Sequence, residues 1–152
     1  MRIMGIDYGD NRIGIAVSDQ FGWTAQGLDT VTFENSLRKP LDKIVQFIFE
    51  YDVEKIIIGL PLNMNGTEGF RSKKTREFGE KLENRLKIEN SIREKKGDIS
   101  PKNIEIKFWD ERLTTVSASN TMNEMGTKKS KKKKLIDKIA AVLILQNYLD
   151  SL

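Results

Sequence analysis

Arg2-Ile3-Met4-Gly5-Ile6-Asp7-Tyr8-Gly9-Asp10-Asn11-Arg12-Ile13-Gly14-Ile15-Ala16-Val17-Ser18-Asp19 is the stretch that decides the fold. Two apolar runs, Arg2 to Asp7 and Ile13 to Asp19, flank a short segment rich in Gly, Asp and Asn. Those residues favour tight turns, so the stretch predicts a β-hairpin. A third short strand is expected over Leu28 to Phe33. Asn35 or Ser36 then caps a helix to about Tyr51, with Leu37, Leu41, Ile44, Val45, Ile48 and Phe49 at helical spacing. Lys55-Ile56-Ile57-Ile58-Gly59-Leu60-Pro61 differs, being a continuous apolar run closed by Gly and Pro. It predicts a buried central strand of parallel type.

Asn65-Gly66 and Gly69 mark a loop after that strand. A long charged helix follows from about Ser72, with Phe78, Leu82, Leu86 and Ile92 along one side, ending by Gly97. After a connector, Ile104 to Trp109 alternates as a half-buried strand. Thr114 or Thr115 caps a helix to about Met125, which Gly126 stops. A last helix is expected from about Leu135 to Leu149. The order βββαβαβαα predicts an α/β fold. Its mixed sheet combines an antiparallel hairpin meander with parallel strands, and helices cover both faces.

The 152 residues suit one domain spanning 1–152. No apolar run approaches the length of a membrane helix. The opening residues have too short an apolar stretch for a signal peptide and read as a strand. The expected location is the cytoplasm. There is no cysteine and no histidine. Disulfides, thiolate zinc sites, cysteine nucleophiles and histidine bases are thereby excluded. A metal held by oxygen ligands alone points to Mg²⁺ or Mn²⁺. The net charge is +4, yet six lysines lie within Lys128 to Lys134, and without those six it is −2. A basic run of this kind suits a polyanion such as RNA, DNA or an acidic membrane surface, or else forms a solvated loop.

Three acidic positions stand out. Asp7 lies where the first strand meets the Gly turn. Asp110 and Glu111 end the fifth strand. Asp137 falls in the first turn of the expected last helix. Ordinary readings stand beside these: Asp7 shaping the turn, Asp110 and Glu111 favouring a helix start, Asp137 pairing with a nearby lysine. Asp137 shares a helical face with Ala141, Ile144, Leu145 and Tyr148, so its carboxylate is aimed at the sheet. A buried carboxylate there needs a partner or a metal. The small pair Ala140-Ala141 lets the helix lie close on the sheet, near the strand ends where open α/β sheets bind ligands.

Four segments resemble one family. Asp7-Tyr8-Gly9-Asp10-Asn11-Arg12-Ile13-Gly14-Ile15-Ala16-Val17-Ser18-Asp19 is similar to the opening motif of the YqgF family. Gly59-Leu60-Pro61-Leu62-Asn63-Met64-Asn65-Gly66-Thr67-Glu68-Gly69 with Arg71 continues the match, and Asp110-Glu111-Arg112-Leu113-Thr114-Thr115-Val116 resumes it. Lys131 to Lys134, Asp137, Ala140-Ala141, Ile144-Leu145-Gln146 and Tyr148-Leu149-Asp150 close it. The resemblance implies an RNase H-like fold and metal-dependent phosphodiester cleavage. The substrate it implies is the 5′ end of pre-16S rRNA in ribosome biogenesis, or a Holliday junction. It makes Asp7, Asp137 and one acid of Asp-Glu-Arg the catalytic carboxylates. Glu111 is favoured over Asp110 because a longer side chain reaches further; metal ligation is assigned to Asp7, Glu111 and Asp137. The segment Asn84 to Asn103 is longer and more charged than the connector of that family.

Arg12, Arg71, Arg112 and Lys131, Lys132, Lys133 and Lys134 are candidates for contacts to nucleic acid, with surface ion pairing as the ordinary alternative for the arginines. Asn63 and Asn65 either position the same backbone or form the turn. Trp23 and Trp109 either stack on a base or pack against the fold. The expected partners are pre-16S rRNA or branched DNA and a precursor of the small ribosomal subunit, with the protein a monomer or weak homodimer. Alternatives are a four-way-junction resolvase, a non-catalytic RNA-binding assembly factor, and a nucleotide-binding lobe of the actin/sugar-kinase type. The last needs two such lobes, for which the chain is too short.

Overall fold

The computed structural model describes residues 1–97, 103–112 and 129–152, the side chains of 129–135 excepted. Strands β1 (Arg2–Tyr8), β2 (Arg12–Ser18) and β3 (Ala25–Thr32) form the meander. Helix α1 (Arg38–Glu50), strand β4 (Val53–Leu60), helix α2 (Phe70–Lys95), strand β5 (Glu105–Asp110) and helix α3 (Lys129–Asp150) follow. The sheet order is β3-β2-β1-β4-β5. β2 is antiparallel to β1 and β3, while β4 is parallel to β1 and β5. The α/β class and the parallel central strand are as expected. The expected helix over Thr114 to Met125 lies outside the described residues.

Period-two alternation divides the sheet into two faces. One face carries Met4, Ile6, Ile13, Ile15, Ile56 and Ile58, packed under α1 and α2 with Leu41, Ile44, Ile48, Phe78, Leu82 and Leu86. Tyr8 stacks there on Phe78 at 4.5 Å and Phe33 at 5.9 Å. The other face, with Ala16 and Ile57, receives Ala141, Ile144, Leu145 and Tyr148 of α3. Helices therefore lie on both faces. Leu82 is fully buried between α2 and the sheet. Leu82→Ala is expected to lower stability by about 2–5 kcal/mol in urea unfolding.

Several boundaries differ from those predicted. β3 begins at Ala25, before Leu28, because its N–H reaches the Gln146 side chain and the β2 ladder continues to Ser18. α1 starts at Arg38, whose N–H donates to Ser36 Oγ. Ile92 is exposed, because α2 has there run past its buried stretch, which ends at Leu86. Of the charged segment after Asn84, the part up to Lys95 continues α2, stitched by Glu89 to Arg85 and Arg93. α3 begins at Lys129 and so takes in Lys129 and Lys131 to Lys134 of the lysine run. Lysine is a good helix former and no Gly or Pro intervenes. Asp137 consequently lies in the third turn of α3, too deep for the helix N-terminus to stabilise its charge.

Candidate active site

β1, β4 and β5 are mutually parallel, so their C-terminal ends gather at one edge of the sheet. Asp7 is the penultimate residue of β1, on the face that α3 covers. Its partner on β2 is Gly14. On the other side the register Ile6 to Ile58 continues to Gly59. Glu111 follows β5, and its N–H donates to the Leu60 carbonyl at 3.3 Å. Alternation points Asp110 and Glu111 in opposite directions.

Glu111 turns inward. Its carboxylate lies over Gly59, and a Cβ at that position would run into Glu111 Oε2 and, at 2.5 Å, into Ile144 Cδ1. It thus crosses the whole width of β4 to hydrogen-bond with the Asp7 carboxyl. Asp110 is exposed instead. It accepts hydrogen bonds from the Arg112 guanidinium at 2.7–3.1 Å, which hold its pKa below the usual carboxylate value. The choice between the two acids is thus made by strand parity, and it favours Glu111 as the inward acid.

Asp137 comes from above. A Cβ on Gly14 would collide with the Asp137 carbonyl, so the α3 backbone rests directly on β2 beside Asp7. Ala140 and Ala141 are buried against the sheet, as their size predicted. Arg12 Nε donates to Asp137 Oδ2 at 2.5 Å. Asp137 therefore pairs with Arg12 of β2.

Electrostatically the site is frustrated. Burial pushes the Asp7 pKa well above its ordinary value, and the negative charges of Glu111 and Asp137 push the same way, against an opposing Arg71. Burial also raises Glu111, against a hydrogen bond from Asp7 and the charge of Arg71. Asp137 is raised by burial, against its bond to Arg12. Among the described residues, no three acidic side chains stand close enough to hold one metal ion as placed. Yet the donor set is oxygen-only, excess negative and cradled by a glycine, which suits a hard divalent cation. Asp137 adds to the negative charge felt by Asp7 while its carboxylate is held by Arg12.

The basic candidates divide. Arg71, in the first turn of α2, is exposed and close enough to act on both Asp7 and Glu111. Arg112 is engaged by Asp110 and by the Met64 carbonyl at 3.3 Å, so it ties β5 to the 61–69 loop. Asn63 and Asn65 are used within that loop, both bonding to Thr67. The side chains of Lys131 to Lys134 lie outside the described residues. Trp23 is exposed and stacked on Phe21 at 5.2 Å, while Trp109 packs edge-on against Tyr148. The Asp137–Arg12 pairing is the feature sequence reasoning missed. The one signal for it was that Arg12 and Gly14 alternate onto the face α3 covers.

Known proteins resemble this chain over nearly its whole length. The chain is 52% identical over 99% of its length to an Acetivibrio thermocellus protein named "Putative pre-16S rRNA nuclease", of which 96% is covered. It is 53% identical over 99% of its length to one of the same name from Ruminiclostridium cellulolyticum, of which 94% is covered. Among solved structures, RuvC of Thermus thermophilus superimposes with a TM-score of 0.52 at 11% identity, covering 99% of this chain and 97% of that one. That likeness shows a shared RNase H-like fold. With the family profile matching residues 1–151, the chain belongs to the RuvX family, described as Holliday junction resolvase.

Proposed function

We propose that this chain is a one-domain, divalent-metal-dependent nuclease that cuts pre-16S rRNA in the cytoplasm, with Asp7, Glu111 and Asp137 as its metal ligands. The observation that carries the reading is the Glu111 carboxylate lying across Gly59 onto Asp7. Nothing in the packing of the sheet requires two acids to meet there. The RNA substrate follows the names of the relatives. When bound, Mg²⁺ or Mn²⁺ supplies charge neutralisation at the phosphate and activation of water.

The protein's own residues do the rest. Asp7 and Glu111, both raised by burial and hydrogen-bonded to each other, would have to give up any shared proton to hold a cation together. Cation binding is therefore weaker at acid pH. Arg71, whose charge acts on both acids, takes a non-bridging phosphate oxygen in this reading and orients the phosphodiester. The lysines preceding Asp137 add affinity with little sequence preference. The family description favours a second reading, a four-way DNA junction as substrate.

The test sets a pre-16S 5′ leader beside a four-way junction, each with Mg²⁺, Mn²⁺ or EDTA. Metal-dependent cutting of the leader supports the rRNA reading, and selective cutting of the junction replaces it with the second. Cleavage persisting in EDTA sinks the metal mechanism. The two neighbouring acids give a sharper check. Glu111→Gln should cost at least about a hundredfold in cleavage if it is a metal ligand. Asp110→Asn weakens an exposed ion pair, worth at most about 1 kcal/mol, and should leave cleavage within about threefold. Equal losses from both would reject the assignment by strand parity.

A further inference from the structure

The Arg12–Asp137 pair is only partly exposed, at 31% and 17% for the two side chains. Asp137 cannot retreat from the site, because its backbone rests on Gly14. Gly14 is the partner of Asp7 on the neighbouring strand. The only freedom left to Asp137 is to turn its side chain. Arg12 leads out of the hairpin turn, its carbonyl accepting from the Gly9 N–H at 2.9 Å. Its guanidinium is held by the Asp137 carboxylate and remains partly open to solvent. It serves as the counter-ion to a carboxylate whose charge burial disfavours. A phosphodiester offers a guanidinium two oxygens in fork geometry, a stronger claim than one carboxylate oxygen.

We propose that Arg12 exchanges partners, from Asp137 in the free protein to a backbone phosphate when nucleic acid binds, releasing Asp137 to complete the metal site. This rests on the metal reading given above. Arg12 is then a positioning residue that couples two binding events. Without nucleic acid it competes with the cation for Asp137. Without the cation, Asp137 competes with the phosphate for Arg12. Each ligand therefore favours the other, as linkage requires.

The experiment is calorimetric, using Mn²⁺ alone and then a 2′-O-methyl RNA stem-loop in EDTA. It compares wild type, Arg12→Gln, Asp137→Asn and the double variant, with circular dichroism as the folding check. Arg12→Gln should tighten Mn²⁺ binding about tenfold, the worth of a hydrogen bond between charged groups. In the Asp137→Asn background the same change should matter less than about twofold. In EDTA, Asp137→Asn should tighten RNA binding about fivefold, and the gain should vanish once Arg12 is also replaced. If the gain survives without Arg12, it is mere loss of repulsion and the exchange is wrong. Mn²⁺ affinity unmoved or weakened by Arg12→Gln overturns it too. Wild type that binds no Mn²⁺ overturns the metal reading itself, and the exchange with it. Should Arg12→Gln not fold, Arg12→Lys keeps the charge but loses the fork and should tighten Mn²⁺ binding about threefold; no change there rejects the exchange.

Discussion

Asp7→Asn is expected to reduce cleavage by at least about a thousandfold if Asp7 holds the metal as proposed, and at the same time to raise the melting temperature of the metal-free protein. The two effects have one cause. Asp7 sits in a place that disfavours its charge, through burial first and then through Glu111 and Asp137. Its folded-state pKa is above the unfolded value, so the folded protein binds its proton more tightly than the unfolded chain. That contribution to stability is fully present at low pH. It is lost as pH rises from the ordinary carboxylate range through the raised folded value. Glu111 and Asp137 are raised as well and add in the same direction. Asn keeps the shape and a hydrogen-bond donor toward Glu111 while removing the charge. In EDTA the melting temperature of wild type should therefore fall from mildly acidic to neutral pH by more than that of Asp7→Asn. A variant that melts lower than wild type at neutral pH would show that the site stores no such penalty.

Gly14→Ala is expected to destabilise the fold by about 3 kcal/mol, the upper part of the range for overpacking. The new methyl would meet a backbone carbonyl, that of Asp137, which has no rotamer to escape into. Relief requires α3 to lift from the sheet. Two residues on, Ala16 carries a methyl on the same face and is fully buried without conflict, so the requirement is local to the contact with Asp137. Because that contact also places an acid, activity at a temperature where the variant stays folded should drop about a hundredfold, the penalty for an ångström-scale misplacement. Chemical denaturation and the cleavage assay read the two effects separately. Normal stability and activity would show that α3 does not rest on β2 in solution as closely as in this structure.

Much of this molecule is legible in its sequence because the signals are local. Turn residues between two apolar runs announce the hairpin, and a run closed by Gly and Pro announces β4. The helical spacing of Ala141, Ile144, Leu145 and Tyr148 already aimed Asp137 at the sheet. The start of α3 was misplaced because a lysine run reads equally as solvated loop or exposed helix, and hydrophobic periodicity is silent there.

Other features depended on which residues meet across the fold. Alternation alone puts Asp110 and Glu111 on opposite faces, but not which face α3 will cover, so the inward acid was a matter of tertiary packing. The pairing of Arg12 with Asp137 joins residues 125 positions apart. No spacing rule connects them; Gly14 does, by letting a helix backbone come within reach of a strand. The sequence by itself determined most of the described elements, the family resemblance and the short roster of candidate acids, because propensity and pattern act over a few residues. Only the tertiary structure decided which acids meet and which cation answers them, because charge and close packing act through space.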